Sequence, residues 1–278
     1  MGRISNGWSM AKTSFGVIAR NKKLLLFPVI SGLVLLAILA SFGLIFVLSN
    51  GITNFDPGVG FYAFWAAFYF LSFFLTIFFN VALVASAMQA LEGRPVSLSY
   101  GISQAAGRLR SILGWAVLSA TIGLILKMLE SRAGVIGQLS LGLVGAAWSI
   151  ATYFVVPIIT FEGLGPLQAA KRSLGLLRQS WGEAFVSNLG LGLIFLLIAL
   201  PGLIPILVAV YLGSVIALVV AIFITVTYWV FVGVLASAAS GVLLASLYRY
   251  ATTGKGGEVL PTTLQYRPPV SDDGAAAL

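Results

Sequence analysis

Cysteine and histidine are both missing from this 278-residue chain. Without cysteine there is no disulfide framework, no thiolate nucleophile and no thiolate metal site. Without histidine the commonest proton shuttle and metal ligand is gone as well. Charge is nearly as scarce: Asp, Glu, Lys and Arg make up 9% of the residues, against about one quarter in an average soluble domain. Between Lys23 and Glu92 the only charged residue is Asp56, and the 65 residues between Glu183 and Arg249 carry no charge at all. Such runs do not belong to a soluble core; they exceed the roughly 20 residues that cross a bilayer. The chain also lacks a G-x-S-x-G elbow, a phosphate loop and paired intramembrane carboxylates. These absences argue against an enzyme and against any bound cofactor or metal, leaving a lipid-acting membrane enzyme as the remote catalytic alternative.

The composition is 59% hydrophobic with a mean hydropathy of +1.04. Charges, glycines and prolines divide it into six apolar segments, at about 24–48, 61–88, 112–130, 137–160, 185–210 and 214–247. The fold expected is therefore all-α: a polytopic membrane bundle of six transmembrane helices, forming one domain over 1–251. The first apolar run, about 25 residues, is too long for a signal-peptide core and reads as an uncleaved span. The tail 252–278, rich in Thr, Gly and Pro, reads as a disordered cytoplasmic extension. Pro201, Gly202, Pro205 and Gly213 offer the hairpin between spans five and six, and Pro157 is expected to bend span four by removing a backbone donor.

Six spans place Arg3, Lys12, Arg20, Lys22, Lys23, Arg94, Arg108, Arg110, Lys171, Arg172, Arg178, Arg249, Lys255 and Arg267 on one side. Lys127 and Arg132 alone fall on the other. Fourteen against two fits the positive-inside rule and puts both termini in the cytoplasm of a cell membrane. The net charge of +8 then belongs to juxtamembrane positions facing anionic lipid headgroups, not to a nucleic-acid surface. The partners expected are the bilayer itself, further copies of the chain or other membrane proteins, and no nucleic acid.

The segments preceding the odd-numbered spans resemble one another. Ile4, Trp8, Ala11, Phe15 and Ile18 recur at helical spacing, as do Leu98, Ile102, Ala105, Leu109 and Ile112, and again Leu167, Ala170, Leu174, Leu177 and Trp181. Each makes one apolar stripe with cations on other faces, the pattern of an amphipathic helix lying in the headgroup plane. Ala11-Lys12-x-Ser14-x-Gly16 also matches Ala170-Lys171-x-Ser173-x-Gly175 residue for residue. Three units follow, about 1–90, 96–160 and 166–250, each an interfacial elbow helix and a two-span hairpin. The alternative is that any basic loop beside a span becomes amphipathic without duplication.

Inside the spans, polar residues are few. Asn80, Asn188, Thr225 and Thr227 are the candidates for a polar path, although hydrogen bonding across helix contacts is the commoner use of such residues. No ionisable residue lies near mid-membrane, which argues against proton coupling. Gly233, Ser237, Gly241 and Ala245, spaced by four, make a small ridge suited to close helix packing; Ala82, Ser86 and Ala90 repeat it in span two. At the cytoplasmic corner after span four, Glu162, Gly163, Gly165 and Pro166 supply a tight turn and a helix start. Lys171, Arg172 or Arg110 can pair with Glu162 there, as a structural latch or around a ligand.

That corner is the most distinctive text in the chain. Val155-Val156-Pro157-Ile158-Ile159-Thr160-Phe161-Glu162-Gly163-Leu164-Gly165-Pro166, followed by Ala170-Lys171-Arg172-Ser173 and closed by Leu247-Tyr248-Arg249-Tyr250-Ala251, resembles a family of uncharacterised prokaryotic six-span membrane proteins known only as a domain of unknown function. The resemblance implies a bacterial or archaeal membrane protein and the six-span topology, and it carries no catalytic residues. The function expected is that of a non-enzymatic structural or accessory protein acting on lipid or membrane partners. The alternative is a transporter or channel for a small or lipid-like substrate without proton coupling.

Overall fold

The computed structural model describes residues 12–48, 59–132 and 134–254. Among these there is no strand. A helix over 12–20 (α1) leads through a 3-10 turn, Lys22–Leu25, into α2 (Leu26–Leu48). Then come α3 (Val59–Leu91), α4 (Leu98–Gly107), α5 (Leu109–Glu130), α6 (Val135–Ala151), α7 (Val155–Phe161) and α8 (Pro166–Ala199). A second 3-10 turn, Leu200–Leu203, joins α8 to α9 (Ile204–Leu212), and α10 (Val215–Thr253) ends the described chain. In hydrocarbon every backbone N–H and C=O must be paired within the segment, and the helix is the one open-chain solution.

Among the described residues, six segments are long and apolar enough to cross a membrane: Lys22–Leu48, Gly60–Leu91, Leu109–Glu130, Ser140–Phe161, Leu191–Leu212 and Val215–Thr253. Their limits follow the expected spans to within a few residues. The loop around Asn50 and Asp56-Pro57-Gly58, the first elbow before Lys12 and the tail beyond Gly254 lie outside the described residues.

Spans five and six separate where expected, between residues 210 and 214, and two local features differ. Spans five and six turn at Gly213, whose φ is +63°, while Ser214 caps α10 by accepting a hydrogen bond from Ala217 N at 3.4 Å. The prolines at 201 and 205 make a kink inside span five instead of a hairpin, because Gly213 alone provides the left-handed backbone that reverses the chain. The third elbow is also no separate helix: α8 runs 34 residues from Pro166 into span five without a break. Nothing between 166 and 199 interrupts it, since the first internal helix breaker is Pro201.

Span four, by contrast, is split. Three residues of irregular backbone separate α6 from α7, with Phe154 at φ −90°, ψ 6°. The Pro157 ring excludes the carbonyl four residues back from an ordinary helical position, so the helix stops at Ala151 and restarts at Val155.

The buried core gathers at one end. It contains Val81–Val84, Ala87 and Met88 of α3, Val155, Ile158 and Ile159 of α7, and Ala238–Leu247 positions of α10. This is the end that carries Arg94, Arg108, Arg172 and Arg249, and it is called the basic end below. The amphipathic stripes of the elbows are divided there. Ile18, Ala105, Ile112 and Leu177 turn inward. Ile102, Leu109, Leu167 and Leu174 remain exposed, Leu167 at 66%. The faces actually seated on the spans are made largely of small residues, Gly101 and Ala105 in α4 and Ala169 and Ser173 in α8.

Candidate functional site

At the basic end the turn after α7 brings four helices together. Gly163 adopts φ +67°, which a side chain would strain. The guanidinium of Arg108 lies against it, and a Cβ at 163 would come within 2.8 Å of the guanidinium carbon. Glu162 is reached from both sides. Arg172 Nε, on α8, lies 3.2 Å from each carboxylate oxygen, and the Tyr248 hydroxyl, on α10, donates to Oε1 at 3.0 Å. The Tyr248 ring stacks on Phe161, with centroids 5.4 Å apart and planes inclined at 22°. Gly165 is the N-cap and Pro166 the first residue of α8. Lys171 is exposed and forms no ion pair with a described residue.

The corner is thus closed by charge on itself: the carboxylate has a cation and a phenol, and the aromatic ring is stacked. One residue further on, Arg249 donates through Nη1 to Leu91 O at 2.9 Å. That covers an orphan carbonyl at the end of α3 with a cation, where the helix dipole favours it. Glu92 and Arg94 pair across the adjoining turn. A cavity of about 560 Å³ opens among these groups, lined by Arg94, Arg249, Tyr100, Tyr248 and Glu92. Its guanidiniums are already engaged by Glu92 and Leu91, so its polar lining serves helix ends.

Ser173 performs a task that periodicity alone does not reveal. It is fully buried on α8, where its hydroxyl donates to Ala151 O at 2.7 Å and accepts from Phe154 N at 3.0 Å. Those are backbone groups that the break in span four leaves without helical partners. One hydroxyl repairs both. Ser14, its match in the first elbow, is equally buried, and its hydroxyl has no partner among the described residues.

The kink in span five is repaired the same way from α10. Thr225 Oγ1 donates to Gly202 O at 2.8 Å, Trp229 Nε1 to Ala199 O at 3.1 Å, and the Tyr228 hydroxyl to Ile198 O. Gly202 is needed for this approach, since a Cβ there would sit 2.6 Å from Trp229 Nε1. Thr227 Oγ1 bonds only its own helix, at Phe223 O. Asn188 lies in α8, and its side chain is outside what the structure describes. Of the four intramembrane polar candidates, Thr225 and Thr227 are therefore occupied with backbone carbonyls.

Asn80 differs. It lines a cavity of about 280 Å³ between α2, α3 and α10, with Ser31, Gly32, Gly233 and Ser237. Its amide makes no hydrogen bond to a described residue. The small ridge of α10 divides at this level. Gly241 and Ala245 are in close contact with the bundle, and a Cβ at 241 would lie 2.5 Å from Leu83 Cδ2. A Cβ at Gly233 would meet nothing within 4 Å. Ala82 and Ser86 of α3 are buried, under Gly101 of α4: a Cβ there would be 2.6 Å from Ala82 O and 2.7 Å from the Phe27 ring.

Sequence reading brought Glu162 and Arg172 together and gave Ser173, Tyr248, Arg108 and Trp229 no part in the contacts described above. The Ser14–Ser173 match was the one available signal for the first of these. No group of three or more His, Cys, Asp or Glu residues is placed to hold a metal among the described residues.

Six apolar crossings, internally repaired kinks and charges restricted to the ends define a polytopic integral membrane protein. The chain belongs to a family of unknown function, DUF6159, whose model matches residues 59–258, from the start of α3 to just beyond α10. No curated protein and no solved structure matches it.

Proposed function

We propose that this protein acts without catalysis, as a structural or accessory component of the cell membrane whose basic elbows engage anionic lipid headgroups or membrane partners on the cytoplasmic side. The observation that carries this reading is the division of the elbow faces. Small residues seat α4 and the start of α8 on the bundle, and Ile102, Leu109, Leu167 and Leu174 stay exposed beside Arg110, Lys171 and Arg178. Apolar side chains flanked by cations suit the boundary between acyl chains and anionic headgroups. The charge asymmetry, with both termini on the cytoplasmic face, supports the same reading.

Lipid selectivity tests it. The six tryptophans report local lipid when the protein is reconstituted with brominated lipids. Brominated anionic lipid should quench wild type at least twofold more effectively than brominated zwitterionic lipid. Lys171→Gln with Arg178→Gln should abolish that preference. Equal quenching by both lipids in wild type would overturn the proposal.

A second reading, transport of a small or lipid-like molecule without proton coupling, draws on the unpartnered Asn80 amide within its cavity. Solute flux in proteoliposomes, wild type against Asn80→Leu, decides it: no substrate-dependent flux over a broad panel removes transport.

A further inference from the structure

The Asn80 cavity does not end at its own walls. Gly32, Leu35 and Thr76 also line a groove of about 490 Å³ between α2 and α3, whose remaining walls include Leu36, Leu39 and Phe68. Cavity and groove together have the size of an ordinary ligand site. Neither contains a charged residue, so an ionised ligand would enter without a counter-charge, at high cost.

The polar end is equally defined. An Asn amide offers two donors and an acceptor with two lone pairs, and leaving it unpaired away from water costs about 1–3 kcal/mol. Ser31 and Ser237 face the same space and make no hydrogen bond to a described residue. The glycines are not there for helix contact. A Cβ at Gly32 or Gly233 would touch nothing within 4 Å, in contrast to Gly241 and Gly101. Glycine at these two positions preserves volume. The groove is open to the bilayer along α2 and α3, where Leu36, Leu39 and Tyr69 are exposed at 51–71%.

We propose that the Asn80 cavity and the adjoining α2–α3 groove form one binding site for a single uncharged lipid-like molecule, an apolar chain carrying a hydroxyl or carbonyl group that hydrogen-bonds Asn80. The chain lies in the groove and the polar group at Asn80, Ser31 and Ser237, with entry sideways from the membrane. The site is independent of the elbows, so its failure and the failure of the elbow reading appear in different experiments.

The test uses a long-chain alcohol carrying a diazirine, added to the reconstituted full-length protein, photolysed and mapped by mass spectrometry. Wild type should show saturable labelling of α2, α3 or α10, competed by the unlabelled alcohol and at least fivefold less well by the corresponding alkane. Gly233→Leu, which fills the cavity, should lower labelling at least tenfold, and Gly32→Leu should do the same from the opposite wall. Asn80→Leu should weaken the alcohol about five- to tenfold and leave the alkane unchanged. Gly43→Leu, on α2 beyond the groove, should have no effect, and all variants must elute as wild type does. Non-saturable labelling, or equal labelling of wild type and both filled variants, overturns the site. Equal competition by alkane and alcohol overturns the role of Asn80.

Discussion

The two ends of this bundle are built on different terms. At the basic end, α3, α7 and α10 meet over Ala82, Leu83, Ile158, Ile159, Ala239 and Leu243, none more than 2% exposed. Glycine is there because another atom occupies the space, as at Gly101 and Gly241. At the other end Leu44, Leu124, Leu143 and Leu207 are each at least 59% exposed, and glycines 43, 123 and 142 face open space. Lipid is as apolar as these side chains, so the hydrophobic effect gives them no reason to come together. Helix association within a membrane needs close packing or hydrogen bonds, and this chain concentrates both at one end. Exceptions among the described residues are the kink in span five, held from α10 by Thr225, Tyr228 and Trp229, and ring contacts between α2 and α3 such as Phe42–Phe64 at 4.9 Å.

Substitutions should separate the ends. The largest effect is expected at Gly101→Leu, which drives a branched side chain into the Ala82 carbonyl and the Phe27 ring. It should lower stability by about 3 kcal/mol, read as loss of the monodisperse peak after graded heating in detergent. Gly43→Leu at the far end should leave that profile unchanged or raise it, since leucine is the better helix former by about 0.5–1 kcal/mol. Equal damage from both would erase the distinction between packed and lipid-facing ends.

Ser173→Ala should come next, at about 2 kcal/mol, because it orphans Phe154 N–H and Ala151 C=O together. Thr227→Ala, which loses only a bond within its own helix, should be close to neutral in the same assay. Thr225→Val should cost about 1 kcal/mol and would show that the far end owes its order to hydrogen bonds instead of packing. Glu162→Gln is expected to cost less than Thr225→Val, about 0.5 kcal/mol, since the pair with Arg172 is partly exposed, with the arginine side chain 47% accessible. That loss should shrink further in high salt. Orientation has its own measurement: the chain has no cysteine, so single Thr253→Cys and Asp56→Cys variants can be labelled from one side at a time. Six spans require opposite sides, and labelling of both from the same side breaks the topology.

The spans were legible because what defines them is local: runs without charge, ended by Lys, Arg, Gly or Pro. The Gly213 turn was harder to read than the prolines beside it, because proline announces an interrupted helix but not whether the chain reverses. A left-handed residue does reverse it, and Gly213 is one of 31 glycines in the chain, nothing in its type marking that role. The faces by which the elbows seat on the bundle are not marked in the sequence for a related reason. Periodicity marks the large apolar residues, Leu167 and Leu174, yet in a membrane the close contacts belong to small ones, Ala169 and Ser173. The Glu162–Arg172 pair was accessible because its partners lie ten residues apart across one turn. Tyr248 joins them from 86 residues away, and only the fold supplies that approach.

The unbroken course of α8 has a mechanical meaning. From Ser173 to Ala199 the helix is about 39 Å long at 1.5 Å per residue, nearly the depth of a bilayer. The third elbow and span five are therefore the two arms of one rod, pivoted where Ser173 bridges the break in span four. A tilt of the far arm, imposed by a thinner or thicker membrane, must swing the near arm against the two hydrogen bonds at that pivot and the ion pair just beyond it. The load of such a tilt would fall on a single hydroxyl at the basic end.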